Sequence, residues 1–175
     1  MQVVPLQVMS TFSLLQSTST ITELVQAAKQ QGYPALALTD VNVMYGIVDF
    51  YNACRQADIT PILGITLELA GSQLAEQTFE LVILAKDWQG YQNLMQLSTL
   101  KQTATAEQPL TLTSILPHLG HLVVMTPAKD SELVALLMQD QPQAATAWLQ
   151  PLVTACDADS LYSVSYTHLT LPTKA

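Results

Sequence analysis

Short apolar runs alternate with amphipathic helical stretches from Val3 to Gly64, and this alternation restricts the fold more than any other feature of the chain. Val3 to Val8 reads as a short strand. Thr20-Ile21-Thr22-Glu23 places a hydroxyl at an N-cap and Glu at N3, the arrangement of a capping box. In the helix that follows, Ile21, Leu24, Val25 and Ala28 fall on one face, and Gly32 supplies a stop. Tyr33-Pro34 interrupts the chain, and Ala35 to Leu38 reads as a buried strand. A second helix is predicted from Tyr45 to Ala57 with Val48, Tyr51 and Cys54 inward, then a third strand at Pro61 to Gly64. Strand, helix, strand, helix, strand is the order of a parallel α/β sheet or barrel.

Beyond Gly64, Ile65 to Leu69 and Phe79 to Ala85 are expected to pair around Gly71-Ser72. Asp87 is placed to cap a helix carrying Trp88, Tyr91, Leu94, Met95 and Leu97. Gln102 to Leu110 is polar and loop-like, Leu112 to Leu116 suggests a helical turn, and His121 to Met125 a strand. Ser131 to Gln139 and Gln143 to Ala155 are amphipathic, and Leu161 to Val164 is a last strand candidate.

Composition narrows the function. Of 175 residues, 49% are hydrophobic and 11% charged, so a core is easily filled while Gln, Thr and Ser must build much of the surface. The net charge is −8, and the six cations (Lys29, Arg55, Lys86, Lys101, Lys129 and Lys174) are scattered. Gripping a phosphate backbone needs clustered cations, so direct nucleic-acid binding by this segment is not expected. Cys54 and Cys156 form no Cys-x-x-Cys pair and read as reduced thiols. No signal-peptide pattern occurs, and no apolar run approaches the ~20 residues that span a bilayer. A soluble, cytoplasmic location without membrane contact is the expectation.

The chemistry centres on Pro34 to Gly46, PALALTDVNVMYG. The run Ala35 to Leu38 delivers one carboxylate, Asp40, to a strand end. Pro5, Gln7, Met9, Gln16 and Val41, elsewhere in the N-terminal stretch, offer it few donors with which to share a metal. A zinc site needs three or four nitrogen, sulfur or carboxylate donors. Amide oxygens from Gln7 and Gln16 are weak ligands, and the Met9 thioether suits Cu(I) rather than a hydrolytic metal. Asp40 is therefore expected to be structural, accepting hydrogen bonds from loop N–H groups or capping a helix, with Met9 and Val41 filling the space nearby.

Ser13-Leu14-Leu15, Ala35 to Asp40, Met44-Tyr45-Gly46, Phe50-Tyr51, Ala53-Cys54, Ile59 to Gly64, Leu84-Ala85-Lys86 and Gly90 to Leu94 occur in one order and spacing. In these pieces the chain resembles the PHP (polymerase and histidinol phosphatase) domain at the N-terminus of bacterial replicative DNA polymerase III alpha subunits. The likeness is good from Val3 to Met125 and looser from Thr126 to Leu161. It implies an α/β fold, a distorted parallel (β/α) barrel, here incomplete. Active members hold up to three metals at the strand ends on His and acidic residues. The first motif has histidines where this chain has Pro5, Gln7 and Met9, and an acidic residue where it has Gln16. The second, Thr-Asp-His, appears as Thr39-Asp40-Val41, and a later acidic position falls near Thr66. Of the family's ligand positions only Asp40 is retained.

The resemblance therefore implies a degenerate domain with no catalytic, metal or cofactor-binding residues and no cofactor of its own. Its parent would be a DNA-directed DNA polymerase whose catalytic palm lies outside this chain. Its partners would be the rest of the polymerase chain, palm and thumb, together with a proofreading exonuclease or another replisome subunit. The alternatives are a metal-dependent phosphoesterase or 3′–5′ exonuclease of the PHP type, and a stand-alone interaction module. His118 and His121 are expected to be a loop and strand-start pair rather than ligands, and Trp88, Tyr91 and Leu94 core rather than a base-stacking platform. Residues 1–162 are assigned to the partial PHP domain and 163–175 to a non-native or divergent tail, because SVSYTHLTLPTKA, with His168, matches nothing the family places there. An incomplete barrel exposes a strand edge and an apolar face, so poor solubility is expected of the chain alone.

Overall fold

The computed structural model describes residues 3–74 and 76–164, so His168 and the tail from Ser165 onward lie outside the described residues. The elements are α1 (Ile21–Gln30), β1 (Ala35–Leu38), α2 (Ile47–Gln56), β2 (Thr60–Ala70), β3 (Thr78–Ala85), α3 (Trp88–Thr103), α4 (Leu112–Ile115), β4 (Leu122–Thr126), α5 (Glu132–Met138), α6 (Pro142–Ala155) and β5 (Leu161–Ser163). A single-turn 3-10 segment, Leu116–His118, joins α4 to β4.

The five strands form one open sheet in the order β1-β2-β3-β4-β5. The outer pairs are parallel, with Leu38 opposite Leu63 and Val124 opposite Leu161. The inner pairs are antiparallel, Leu67 facing Leu81 and Leu84 facing Val123. The α/β class and the unclosed sheet agree with the sequence, and β2–β3 is the hairpin expected around Gly71-Ser72.

Local chemistry explains most boundaries. Thr20 caps α1 with the full capping box: its hydroxyl accepts from the Glu23 N–H, and the Glu23 carboxylate accepts from the Thr20 N–H. Gly32 follows α1 at φ +69°, a left-handed position that glycine adopts without strain. The two strands predicted at Pro61–Gly64 and Ile65–Leu69 are one continuous β2. Gly64 permits this: a Cβ there would meet Leu84 Cδ2 at 2.5 Å and the Ile83 oxygen at 2.7 Å. Its missing side chain marks a close approach of neighbouring strands rather than a break.

Two expectations fail. Val3 to Val8 is not a strand, although it lies along β1. The Ala37 N–H donates to the Pro5 oxygen at 3.1 Å and the Thr39 N–H to the Val8 oxygen at 2.8 Å. The two bonds ascend together as in a parallel pair, whose return donors would be the Gln7 and Ser10 N–H groups, and the Ser10 N–H donates instead to Asp40 Oδ1 at 2.7 Å. In α2 the inward residues are Ile47, Phe50 and Cys54, whereas Val48 and Tyr51 are exposed. Two apolar stripes share this helix, and the one containing Phe50 is buried.

The main core lies between β2–β4 and helices α3, α5 and α6, around Ile65, Leu67, Ile83, Leu94, Leu122 and Trp148. A second core joins α1 and α2 to β1 through Val25, Ala28, Leu38 and Phe50. The opposite sheet face carries a small cluster of Ala37, Val82, Leu84 and Met125. Asp40 lies two residues past the end of β1, so the first two strands and the 3–19 segment position the site.

Candidate functional site

Asp40 is buried at 2% exposure, and its carboxylate meets three neutral donors. The Ser10 N–H donates to Oδ1 at 2.7 Å, the Ser10 hydroxyl to Oδ2 at 2.7 Å, and the Ser13 hydroxyl to Oδ1 at 2.6 Å. Ser13 Oγ in turn accepts from the Val41 N–H at 3.0 Å. Ser10 and Ser13 are themselves buried. Spaced three apart in a turn closed by the Ser13 N–H on the Ser10 oxygen, they present both hydroxyls on one side. Short bonds to an ionised acceptor are the stronger class, and three of them replace much of the solvation a buried carboxylate loses.

The shell behind Asp40 is backbone and threonine. The Thr66 N–H donates to the Asp40 oxygen at 3.1 Å, and the Thr66 hydroxyl to the Thr39 oxygen at 2.9 Å. Thr66 is fully buried, so its hydroxyl ties β2 to β1. Among the other expected ligand positions, Gln7 and Gln16 are exposed, while Pro5, Met9 and Val41 are half-buried. Met9 and Val41, expected to fill the space by Asp40, stand outside the apolar clusters. Serine hydroxyls touch the carboxylate instead. Among the described residues, no group of three or more His, Cys, Asp or Glu is arranged to hold a metal ion.

His118 ends the 3-10 turn and His121 precedes β4, as the spacing suggested. His121 sits at φ +61°, and its Nδ1 is 2.7 Å from Asp87 Oδ2. The carboxyl of Asp87 is held below its usual range first by the Gly90 N–H and then by this imidazole. Asp157 is lowered first by the Lys86 ammonium, 2.5 Å away, and then by the His121 N–H. These bonds fasten the α3 N-terminus and the approach to β5 onto β4. They also occupy Lys86, and Lys101 lies 3.8 Å from Glu68, so two of the scattered cations already face acids.

The aromatic expectation needs correction. Leu94 is fully buried, but Trp88 is 69% exposed. The buried stripe of α3 is Gly90, Leu94 and Leu97, and Trp88, two positions before Gly90, points to the other side. Its ring lies 5.4 Å from that of Tyr91, and with Val48, Tyr51 and Leu63 the pair lines an apolar groove of about 470 Å³ between α2 and α3. Burial pushes the Cys54 thiol up to about 11, which suits an inert core residue.

Sequence reasoning missed a second buried carboxylate. Glu132, at 2% exposure, accepts from the N–H groups of Ser72 at 3.0 Å, Gln73 at 2.6 Å and Leu74 at 3.0 Å, and from the Ser72 hydroxyl at 3.3 Å. It locks the β2–β3 loop to the start of α5. The three consecutive donors form an anion-binding nest, which no pattern around Glu132 announces.

Comparison with known proteins places this geometry in context. A family model described as "PHP domain" matches residues 5–163. The DNA polymerase III subunit alpha of Bacillus subtilis is 45% identical over 103 residues, covering 59% of this chain and 9% of that protein. The subunit of the same description from Halalkalibacterium halodurans is 31% identical over 163 residues, covering 93% of this chain and 14% of that protein. The chain thus spans about a tenth of the length of these curated relatives. Among solved structures, an amidohydrolase from Chromobacterium violaceum with bound sulfate and no metal superposes with a TM-score of 0.55. It shares 14% identity and covers 93% of this chain and 85% of that one, a likeness of fold alone.

Proposed function

Because the chain belongs to the PHP domain family, we propose that it forms the PHP portion of a bacterial DNA polymerase III alpha subunit and serves chromosomal replication as a metal-free structural domain. In that setting it braces the palm and thumb and offers a surface to other replisome subunits, while deoxynucleotide addition takes place elsewhere in the polymerase. The similarity to the Bacillus and Halalkalibacterium polymerase subunits supports the parent. The closure of Asp40 by Ser10 and Ser13 is the observation that carries the metal-free reading.

Metals are implied by the family, so the donors present must be weighed against one. A divalent cation hydrolysing a phosphoester has to be held by several anionic or imidazole donors while it activates water. Here one carboxylate faces hydroxyl and amide protons, and the other ligand positions that the family resemblance implies hold Pro5, Gln7, Met9, Gln16 and Val41. Binding a metal on Asp40 would break three short hydrogen bonds and gain one strong ligand. The donor set does not fit the group, and no hydrolytic step is built on it.

The test is metal analysis and thermal melting of the purified chain with and without zinc or manganese. The expected result is substoichiometric metal after dialysis, an unchanged melting temperature and no phosphomonoesterase activity. Near-stoichiometric zinc or manganese that disappears in Asp40→Asn would overturn the reading.

A further inference from the structure

We infer that the turn from Phe12 to Leu15, fixed from beneath by Asp40, is the seat for the remainder of the polymerase chain; this rests on the polymerase reading above. Leu14 and Leu15 are 81% and 106% exposed, and Phe12 and Tyr45 beside them are 38% and 69% exposed. The turn is nevertheless tightly built. Ser13 and Ser10 anchor it to Asp40, the Ser17 hydroxyl donates to the Met9 oxygen at 2.9 Å, and the Thr11 N–H donates to the Ser19 oxygen at 2.9 Å. The Phe12 ring is pressed toward Gly46, where a Cβ would meet Phe12 Cδ2 at 2.8 Å, and it meets Tyr45 edge-on with centroids 6.3 Å apart.

Leu15 adopts φ +64°. The other non-glycine residues at positive φ among those described are Asn42, Asp58, His121, Asp130, Asp140 and Asp159, types that tolerate the left-handed region. Leucine does not, and a strained backbone that holds an apolar side chain out in water points to a surface that is covered in use.

Charge and size identify the cover. From Val3 to Thr22 no charged side chain occurs, in a chain of net charge −8. Nucleic acid or a lipid headgroup would call for cations here, whereas the buried centre of a protein interface is depleted of charge. In the Bacillus relative the matched stretch is 9% of the protein, so most of that protein lies outside it, ample chain to supply such a cover. The occupant is therefore an apolar, uncharged protein surface of the same polymerase chain.

The experiment replaces the matched stretch of the Halalkalibacterium halodurans subunit, which spans 163 residues, with residues 3–164 of this chain and compares the chimera with the chain alone. Hydrogen exchange of the 12–17 amides is expected to slow by about tenfold or more in the chimera. Leu14→Ser with Leu15→Asn, where Asn suits the left-handed backbone, should abolish that slowing and lower the melting temperature of the chimera but not of the isolated chain. Equal exchange in both settings, or a double variant that melts like the unaltered chimera, would overturn the inference. So would a concentration-dependent dimer of the chimera lost in the variant, which would assign the turn to a second copy. A chimera that neither folds nor extends a primer removes the polymerase reading itself, and this inference with it.

Discussion

Asp40 and Glu132 are equally buried, yet their charges are met in different ways. Glu132 is held mostly by backbone, three successive N–H groups that any sequence would offer in that loop conformation. Asp40 is held mostly by side chains, two serine hydroxyls that only this sequence supplies. The first arrangement belongs to the scaffold. The second is written residue by residue, and single substitutions can rewrite it. The difference separates a fixed structural lock from a centre whose chemistry depends on which side chains surround it.

Glu132→Ala should have the largest effect. It leaves three loop N–H groups without their acceptor and frees residues 72–74 from α5, at a cost of about 3 kcal/mol in urea unfolding. If Glu132→Ala melts within ~0.5 kcal/mol of the original chain, water replaces the carboxylate freely and the lock is not structural. Next come the serines. Ser13→Ala removes a donor to Asp40 and the acceptor of the Val41 N–H, and should cost about 1.5 kcal/mol, with Ser10→Ala about 1 kcal/mol. Their double variant should depart from additivity because both act through one carboxylate. Strict additivity would mean that Asp40 is not the shared partner.

The smallest effect has the opposite sign. Glu80 stands directly across from Glu68 in the β2–β3 register, with Asp130 nearby. Its carboxyl is raised above the ordinary 4.5 first by burial and then by Asp130 and Glu68. A raised carboxyl favours the protonated form in the fold, so the ionised group weakens the fold above its folded pKa, and the penalty fades as pH falls toward 4.5. Glu80→Gln should therefore stabilise by about 0.5 kcal/mol at neutral pH, the scale of a like-charge cross-strand pair, and do nothing in acid. A gain that is the same at both pH values would show that packing, not charge, is responsible.

The sequence made the local devices legible. Thr20 and Glu23 announce α1, Asp87 announces α3, and β-rich runs mark every strand of the sheet, because caps and periodicity act over a few residues. Where two solutions fit one period, reading failed: α2 carries both an Ile47–Phe50–Cys54 stripe and a Val48–Tyr51 stripe, and only packing on β1 and β2 chooses. Trp88 is apolar at the start of a helix, but its face depends on which side of α3 meets the sheet. The candidate site was half visible. Asp40 stood out at a strand end, while its partners Ser10 and Ser13 lie 30 and 27 positions away and leave no periodic trace. Glu132 and its donors are separated by 58 to 60 positions, so that lock could be found only in three dimensions.

In the β1-β2-β3-β4-β5 order, each strand's partner in the sheet is also its neighbour in the chain. Such a sheet can grow one strand at a time as the polypeptide leaves the ribosome, since no strand waits for a partner made much later. A closed barrel must instead join its first strand to its last. Every shorter version of this sheet is already a correctly paired beginning of the longer one, so synthesis itself can serve as the assembly order.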